Sequence, residues 1–147
     1  MDKEFYMTWF QGFEKGLEDM DSKSVSNLLS NCAKACANTG VLQMHRHHYE
    51  NVNKDRDQYY STLEQLGGVR GEIIVPGKEY VVIFPDCTCD LHANGLINTA
   101  KLCECSRQSI LYIAKQLWGD EMIDVECIET ILSGANECRF RISYHKI

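Results

Sequence analysis

The chain has 147 residues, a net charge of −6 at pH 7 and eight cysteines. This length suits one domain that buries roughly two-thirds of the surface of its unfolded chain, so folding does not require disulfides. The acidic balance argues against a nucleic-acid partner, which would need a basic surface. The sequence has no apolar run as long as a membrane span, and its first residues lack a secretory pattern. We therefore expect a cytoplasmic protein with no membrane partner, whose cysteines bind metal or do redox chemistry.

The first part of this single predicted domain, residues 1–68, is expected to be helical. Apolar side chains recur at every third or fourth position in residues 5–20, which indicates an amphipathic helix. A second helix with the same spacing is expected to be capped by Ser22 or Ser24. The sequence Asn38-Thr39-Gly40 is expected to end it.

Two groups of potential ligands lie in this helical part. Cys32 and Cys36 fall one turn apart on the expected inner face of the second helix, either as small core side chains or as ligands. Residues 41–66 predict two short helices or one broken helix. There, His45 and His48 would share a face that we interpret as solvated, with a metal site as the less favoured alternative.

The second part, residues 69–147, predicts a β-hairpin, a helix and another β-hairpin. The first hairpin consists of Glu72–Val75 and Lys78–Phe84, joined by Pro76-Gly77, a pair that suits a type II turn. Both faces of its second strand are apolar. This strand should therefore lie inside the sheet or under a helix.

Two Cys-x-Cys pairs follow this hairpin, Cys87-Thr-Cys89 and Cys103-Glu-Cys105, with thirteen residues between them. Four thiols in so short a segment are soft ligands that can converge on a metal ion. If the strand continues in extended form, Cys87 and Cys89 point to the same side.

A helix is predicted from Ser106 to Trp118, with Ser106 as its cap. Cys103 and Cys105 would then lie just before a helix N-terminus, where the helix dipole favours a thiolate over a thiol. This position favours metal binding and redox reactivity equally.

The last hairpin is expected to pair Met122–Leu132 with Glu137–Tyr144. Alternation places Cys127 and Glu129 on its apolar face, and the expected register makes Glu129 and Cys138 diagonal neighbours about 7–8 Å apart. A carboxylate on an apolar face is costly unless it is paired or ligated. Glu129 is thus either a candidate ligand or an edge carboxylate that reaches solvent.

The end of the chain shows a Cys-x-Cys-Ser sequence that opens a helix, Gly119 that closes it, and then the runs Val125–Gly134 and Cys138-Arg139-Phe140. In these features the segment resembles the vinyl-4-reductase domain, of a superfamily that also includes haem–nitric-oxide sensors and Golgi-transport proteins. Cys32-Ala-Lys-Ala-Cys36 and Cys87-Thr-Cys89 resemble sequences of a bacterial cysteine-rich subgroup of that family.

The resemblance implies an α+β fold of helices packed on an antiparallel sheet, often a homodimer, with a zinc site and a pocket for a small apolar ligand. In phenol-sensing activators with this domain, zinc is held by a Cys near the helix start and by a Glu and two Cys of the last hairpin. By resemblance the first ligand falls on Cys105 and the last on Cys138. The candidates for the other positions are Cys127, Glu129, Cys87, Cys89 and Cys103.

The sequence therefore predicts a non-catalytic domain that binds zinc and senses or binds a small molecule. The alternative is a thiol redox or Fe–S protein that uses Cys103 and Cys105. Hydrolase chemistry is not favoured, because the sequence lacks a phosphate loop, a nucleophile elbow and a His-Glu-x-x-His motif.

Overall fold

A computed structural model describes residues 2–87 and 89–146. Helices pack on a four-stranded antiparallel sheet of order β1-β2-β4-β3, which confirms the predicted α+β class. The helices are α1 Lys3–Asp19, α2 Ser22–Cys36, α3 Leu42–Asn51, α4 Arg56–Ser61, α5 Asp90–Ala93 and α6 Glu104–Leu117. The strands are β1 Arg70–Val75, β2 Glu79–Phe84, β3 Glu121–Glu129 and β4 Cys138–Lys146. None of the helices in this described part of the chain is both long and apolar enough to cross a membrane.

The second helix begins differently from the prediction but is interrupted where expected. Its N-cap is Asp21, not Ser22 or Ser24, and the Asp21 carboxylate accepts a hydrogen bond from the Ser24 amide at 2.7 Å. The helical backbone is broken at Gly40 (φ 133°, ψ −25°), within the predicted Asn38-Thr39-Gly40 end, and α3 follows at Leu42. Glycine adopts such a positive φ readily, which is why the break falls at this residue.

The inner face of α2 is formed by Val25, Leu29 and Ala33, which are buried. Cys32 and Cys36 are exposed, so the prediction that they lie on the inner face is wrong. The reason is the direction in which each helix position points. Positions 25, 29 and 33 face the core, whereas the two cysteines lie beside this buried stripe.

The first hairpin matches the prediction. Gly77 has φ 76°, as a type II turn requires, and the Lys78 amide donates to the Val75 carbonyl at 2.9 Å. Strand β2 lies between β1 and β4, and its residues Tyr80–Ile83 are buried on both faces of the sheet, as expected for an interior strand.

The last hairpin has a different register from the predicted one. Cys127 pairs with Phe140, and after an irregularity Glu129 pairs with Arg139. The extra residue between them, Ile128, is a β-bulge, which reverses the alternation of side chains beyond it. Glu129 is therefore exposed instead of lying on the apolar face, and the predicted position of this carboxylate is wrong.

The central helix α6 starts two residues earlier than predicted. Cys103, with helical backbone angles (φ −66°, ψ −14°), occupies its N-cap position, and Cys105 lies in its first turn. The helix packs against β3 on one side and α2 on the other, and its Ala114 joins the main core with Phe140 and Ile142.

Candidate ligand and metal site

A cavity of about 270 Å³ lies between the helices and the sheet. Its wall is largely apolar, and the volume is close to the roughly 300 Å³ lower end of small-molecule sites. The apolar wall includes Leu63, Val82, Phe84, Leu102, Ile110 and Ile113. Six of the eight cysteines also line it: Cys36, Cys87, Cys89, Cys103, Cys105 and Cys138.

The fold brings these thiols together from distant parts of the sequence. Phe84 at the end of β2 pairs with Cys138 at the start of β4, so Cys138 lies beside the segment that carries Cys87. The start of α6 supplies Cys103 and Cys105 to the lining of the same cavity. The prediction that Cys87 and Cys89 point the same way depends on Thr88, which lies outside the described residues.

Cys138 is the most buried of the cysteines, and its Sγ accepts a hydrogen bond from the Ile131 amide at 3.3 Å. The pKa of Cys103 is raised to about 11, mainly by burial and to a smaller extent by the nearby thiols of Cys138, Cys87 and Cys127, while a hydrogen bond with Thr130 acts in the opposite direction. Burial also raises the pKa of Cys138, and Cys87 adds to that effect.

Cys105 has other neighbours. It packs against the apolar side chains of Leu17, Val25 and Leu29. Its pKa is raised to about 12, mainly by burial and to a smaller extent by the thiols of Cys89, Cys32, Cys36 and Cys103. This direction is opposite to the one that the position at a helix start predicted, because burial disfavours the charged thiolate.

The donor types fit a soft metal ion, since thiolates are ligands for zinc. Within residues 2–87 and 89–146, however, no three side chains of the ligand types lie close enough together to hold one ion. A ligand set from the predicted candidates would thus require side-chain rotation. Cys127 is exposed and lines a second cavity of about 220 Å³ together with Cys103 and Thr130.

The two histidines on one face of α3 do not lie on a solvated face, and that interpretation is wrong. His48 is 3% exposed, and its Nε2 lies 3.1 Å from the Tyr59 carbonyl. His45 lines the cavity, with Nδ1 2.5 Å from the Tyr59 hydroxyl. The physical reason is that α4 packs its tyrosines against α3, so these polar rings are buried with hydrogen bonds.

Sequence reasoning considered His45 only as a less favoured metal ligand, and it did not identify Tyr59 or Ser109 as part of a site. Ser106, Ser109, Ile110 and Ile113 line the cavity at helical spacing along α6, which is the signal that could have found this wall. His45 and Tyr59 add a hydrogen-bonded polar pair to the cavity lining.

No protein-family model matches this chain, and no curated protein matches it. A solved structure that it resembles is a trafficking protein particle complex subunit 3 from Naegleria fowleri, covalently bound to palmitic acid. That chain is 11% identical, with a TM-score of 0.47, and the match covers 97% of this chain and 93% of the other.

Proposed function

We propose that this chain is a non-catalytic domain that binds zinc and a small apolar molecule at adjacent parts of one site. The observation that carries the proposal is that a single cavity is lined both by apolar side chains and by six thiols. The resemblance of residues 103–144 to the vinyl-4-reductase domain agrees with it, and we propose membership of that family and its dimeric state on the same ground.

The metal half of the proposal uses Cys87, Cys103 and Cys138, with Cys127 as the fourth thiol. These thiols come from the end of β2, the start of α6 and the two strands of the last hairpin. Zinc with four thiolates has a closed coordination shell, which is typical of a structural site. The ion would tie three elements together, and its binding energy would add to the folding energy.

The ligand half uses the apolar wall between α6 and the sheet. Ile110 and Ile113 of α6 line the cavity from the helix, and Val82 and Phe84 of β2 line it from the sheet. His45 and Tyr59 are hydrogen-bonded to each other there, and burial lowers the pKa of His45 to about 4, so the imidazole is neutral at pH 7. The cavity lining also includes the Asp86 carboxyl group, which disfavours an anionic ligand, so the site suits a small uncharged molecule.

The two halves share Cys103 and Cys138, which line the same cavity as the apolar wall. A ligand that fills the cavity contacts the side chains that hold the metal. We therefore infer that ligand and zinc influence each other's affinity, as expected of a sensing domain.

The experiment is native mass spectrometry of the protein purified anaerobically, compared with three variants. Ser109→Phe places a ring into the cavity from a half-buried position of α6 and should abolish retention of an apolar molecule but not of zinc. Lys115→Phe adds the same ring to the exposed face of the same helix and should retain both. C103S/C138S should lose zinc from this site. Equal retention of metal in C103S/C138S and the parent would contradict the metal half, and equal ligand retention in Ser109→Phe would contradict the ligand half.

A second candidate function is a thiol redox or Fe–S protein that uses Cys103 and Cys105. The spread of the thiols favours a 4Fe–4S cluster, because its four thiolates each bind a different iron and need not reach one shared ion. Burial of the thiols disfavours dithiol cycling, which needs accessible thiolates. Visible absorption of the anaerobic protein decides: a brown protein supports the cluster, and a colourless one supports zinc.

A further inference from the structure

We propose that Cys32, Cys36, Cys89 and Cys105 form a second tetrathiolate metal site, on the α2 side of α6. It takes a soft divalent ion such as zinc. This inference extends the proposed function but depends on four different cysteines.

Helix geometry separates the two thiols at the start of α6. Residues two positions apart on a helix point in directions about 200° apart, so Cys103 and Cys105 have mostly different surroundings although both line the large cavity. Cys103 has helical backbone angles, and its side chain lines the second cavity with Cys127 and Thr130. Cys105 packs with apolar residues of α1 and α2. One Cys-x-Cys pair therefore supplies two separate sites.

Helix α2 supplies the next two ligands. Cys32 and Cys36 lie one turn apart on the helix that packs along α6, and both are exposed. Side chains four residues apart on a helix are about 5–6 Å apart at Cβ, a separation that one metal ion can bridge after rotation of the side chains. Exposure matters here, because rotation of these thiols toward an ion breaks no core packing.

Cys89 completes the set from the segment after β2. It is half-buried just before α5, and it lines the large cavity together with Cys36 and Cys105. Cys89, Cys32 and Cys36 lie near enough to raise the pKa of Cys105, with Cys103 as a smaller contributor. Three separate elements thus contribute to this site.

All eight cysteines are then assigned, four to each site. The first thiol of each Cys-x-Cys pair, Cys87 or Cys103, belongs with Cys138 and Cys127. The second thiol, Cys89 or Cys105, belongs with the pair on α2. Cys138, Cys87 and Cys127 affect the pKa of Cys103, whereas Cys89, Cys32 and Cys36 affect that of Cys105 more than Cys103 does.

The test is a titration with Co²⁺ of the apo protein, reduced and free of oxygen, followed by thiolate-to-metal charge-transfer absorption. The parent protein should bind two equivalents. The variant C32S/C36S and the variant C103S/C138S should each bind one. N31S/A35S, which changes two exposed positions one turn apart on α2, should bind two and controls for the helix itself.

The outcomes separate the two sites. A parent protein that binds one equivalent, retained by C32S/C36S and lost by C103S/C138S, overturns the second site and leaves the proposed function intact. If the parent protein binds one equivalent of Co²⁺ and only C32S/C36S loses it, the second site is supported and the first is overturned. Because Cys32 and Cys36 are exposed, their serine variant should keep the parent's far-ultraviolet circular dichroism, which shows that a lost equivalent is a lost site.

Discussion

Cys103 and Cys105 are separated by one residue at the start of α6 and both line the large cavity, yet the rest of their surroundings differs. Cys103 lies near Cys138, Cys87 and Cys127, whereas Cys105 packs against α1 and α2. Helix geometry enforces this division, because both residues have helical backbone angles. The short segment around residues 87–105 is therefore not one self-contained four-thiol site.

Removal of metal is expected to lower stability. If zinc ties the end of β2, the start of α6 and the last hairpin together, a chelator should lower the melting temperature of the parent protein by about 5 °C or more, since 1 kcal/mol corresponds to roughly 4 °C at this chain length. The variant C103S/C138S should respond less to the chelator. Differential scanning fluorimetry with and without chelator checks this, and an identical chelator response in both proteins would contradict it.

Gly71 of β1 is expected not to tolerate a side chain. A Cβ at this position would lie 2.3 Å from the Tyr60 carbonyl oxygen and 3.2 Å from Leu63 Cδ1. Gly71→Ala should therefore destabilise the protein by about 2 kcal/mol through overpacking. Gly12→Ala in α1 is the control: a Cβ there meets no described atom within 4 Å, and alanine should add about 0.5–1 kcal/mol. Urea unfolding of both variants checks this, and an equal effect at both positions would show that the close approach is unimportant.

Replacement of Arg56 by lysine is expected to lower the stability of the fold. Its guanidinium forms an ion pair with both oxygens of Glu121 and lies 3.9 Å from the centre of the Tyr144 ring and 5.1 Å from that of Trp118. Lysine keeps the charge but loses the planar fork, so Arg56→Lys should cost about 2 kcal/mol.

An exposed ion pair provides the contrast for Arg56. Lys54 and Glu50 form such a pair, with both side chains more than 60% exposed. Lys54→Gln should change the free energy of unfolding by less than about 0.5 kcal/mol. Denaturant titrations measure both effects, and a cost of Arg56→Lys as small as that of Lys54→Gln would refute the packing role of the guanidinium.

His45 is expected to make the protein sensitive to acid. Burial, with a further contribution from His48, lowers the pKa of His45 from 6.5 to about 4. Between pH 6.5 and pH 4 the unfolded chain therefore binds a proton that the folded chain does not, so stability falls as the pH falls through this window. At pH 5 the loss should be about 2 kcal/mol relative to pH 7.

The variant His45→Gln isolates this effect, because glutamine can still hydrogen-bond Tyr59 but does not titrate. The difference in unfolding free energy between parent and variant should change by about 2 kcal/mol from pH 7 to pH 5. Both proteins are measured in chelator, so that metal release does not contribute. Parallel pH profiles would show that the imidazole is not held neutral by burial.

The sequence was sufficient for features that depend on local patterns. The Pro76-Gly77 turn and the doubly apolar β2 were predicted because turn chemistry and strand alternation involve neighbours in sequence. The α+β class followed from the same patterns together with the resemblance.

Two kinds of feature were not predictable from the sequence. One is the face on which a side chain lies after a one-residue shift in a strand, and the other is contact between segments that are distant in sequence. The bulge at Ile128 reverses the alternation beyond Cys127, so Glu129 faces away from the apolar side where a regular strand would place it. The burial of His48 depends on Tyr59, which lies in another helix. The grouping of the cysteines likewise depends on how α2 and α6 pack, a long-range relationship without a local sequence pattern.

The most direct test of the central claim is the metal content of the protein purified without oxygen, measured together with the number of thiols that react with a thiol reagent. The account predicts at least one zinc per chain and at least four unreactive thiols that become reactive in a chelator. A protein with no metal and all eight thiols reactive would contradict it.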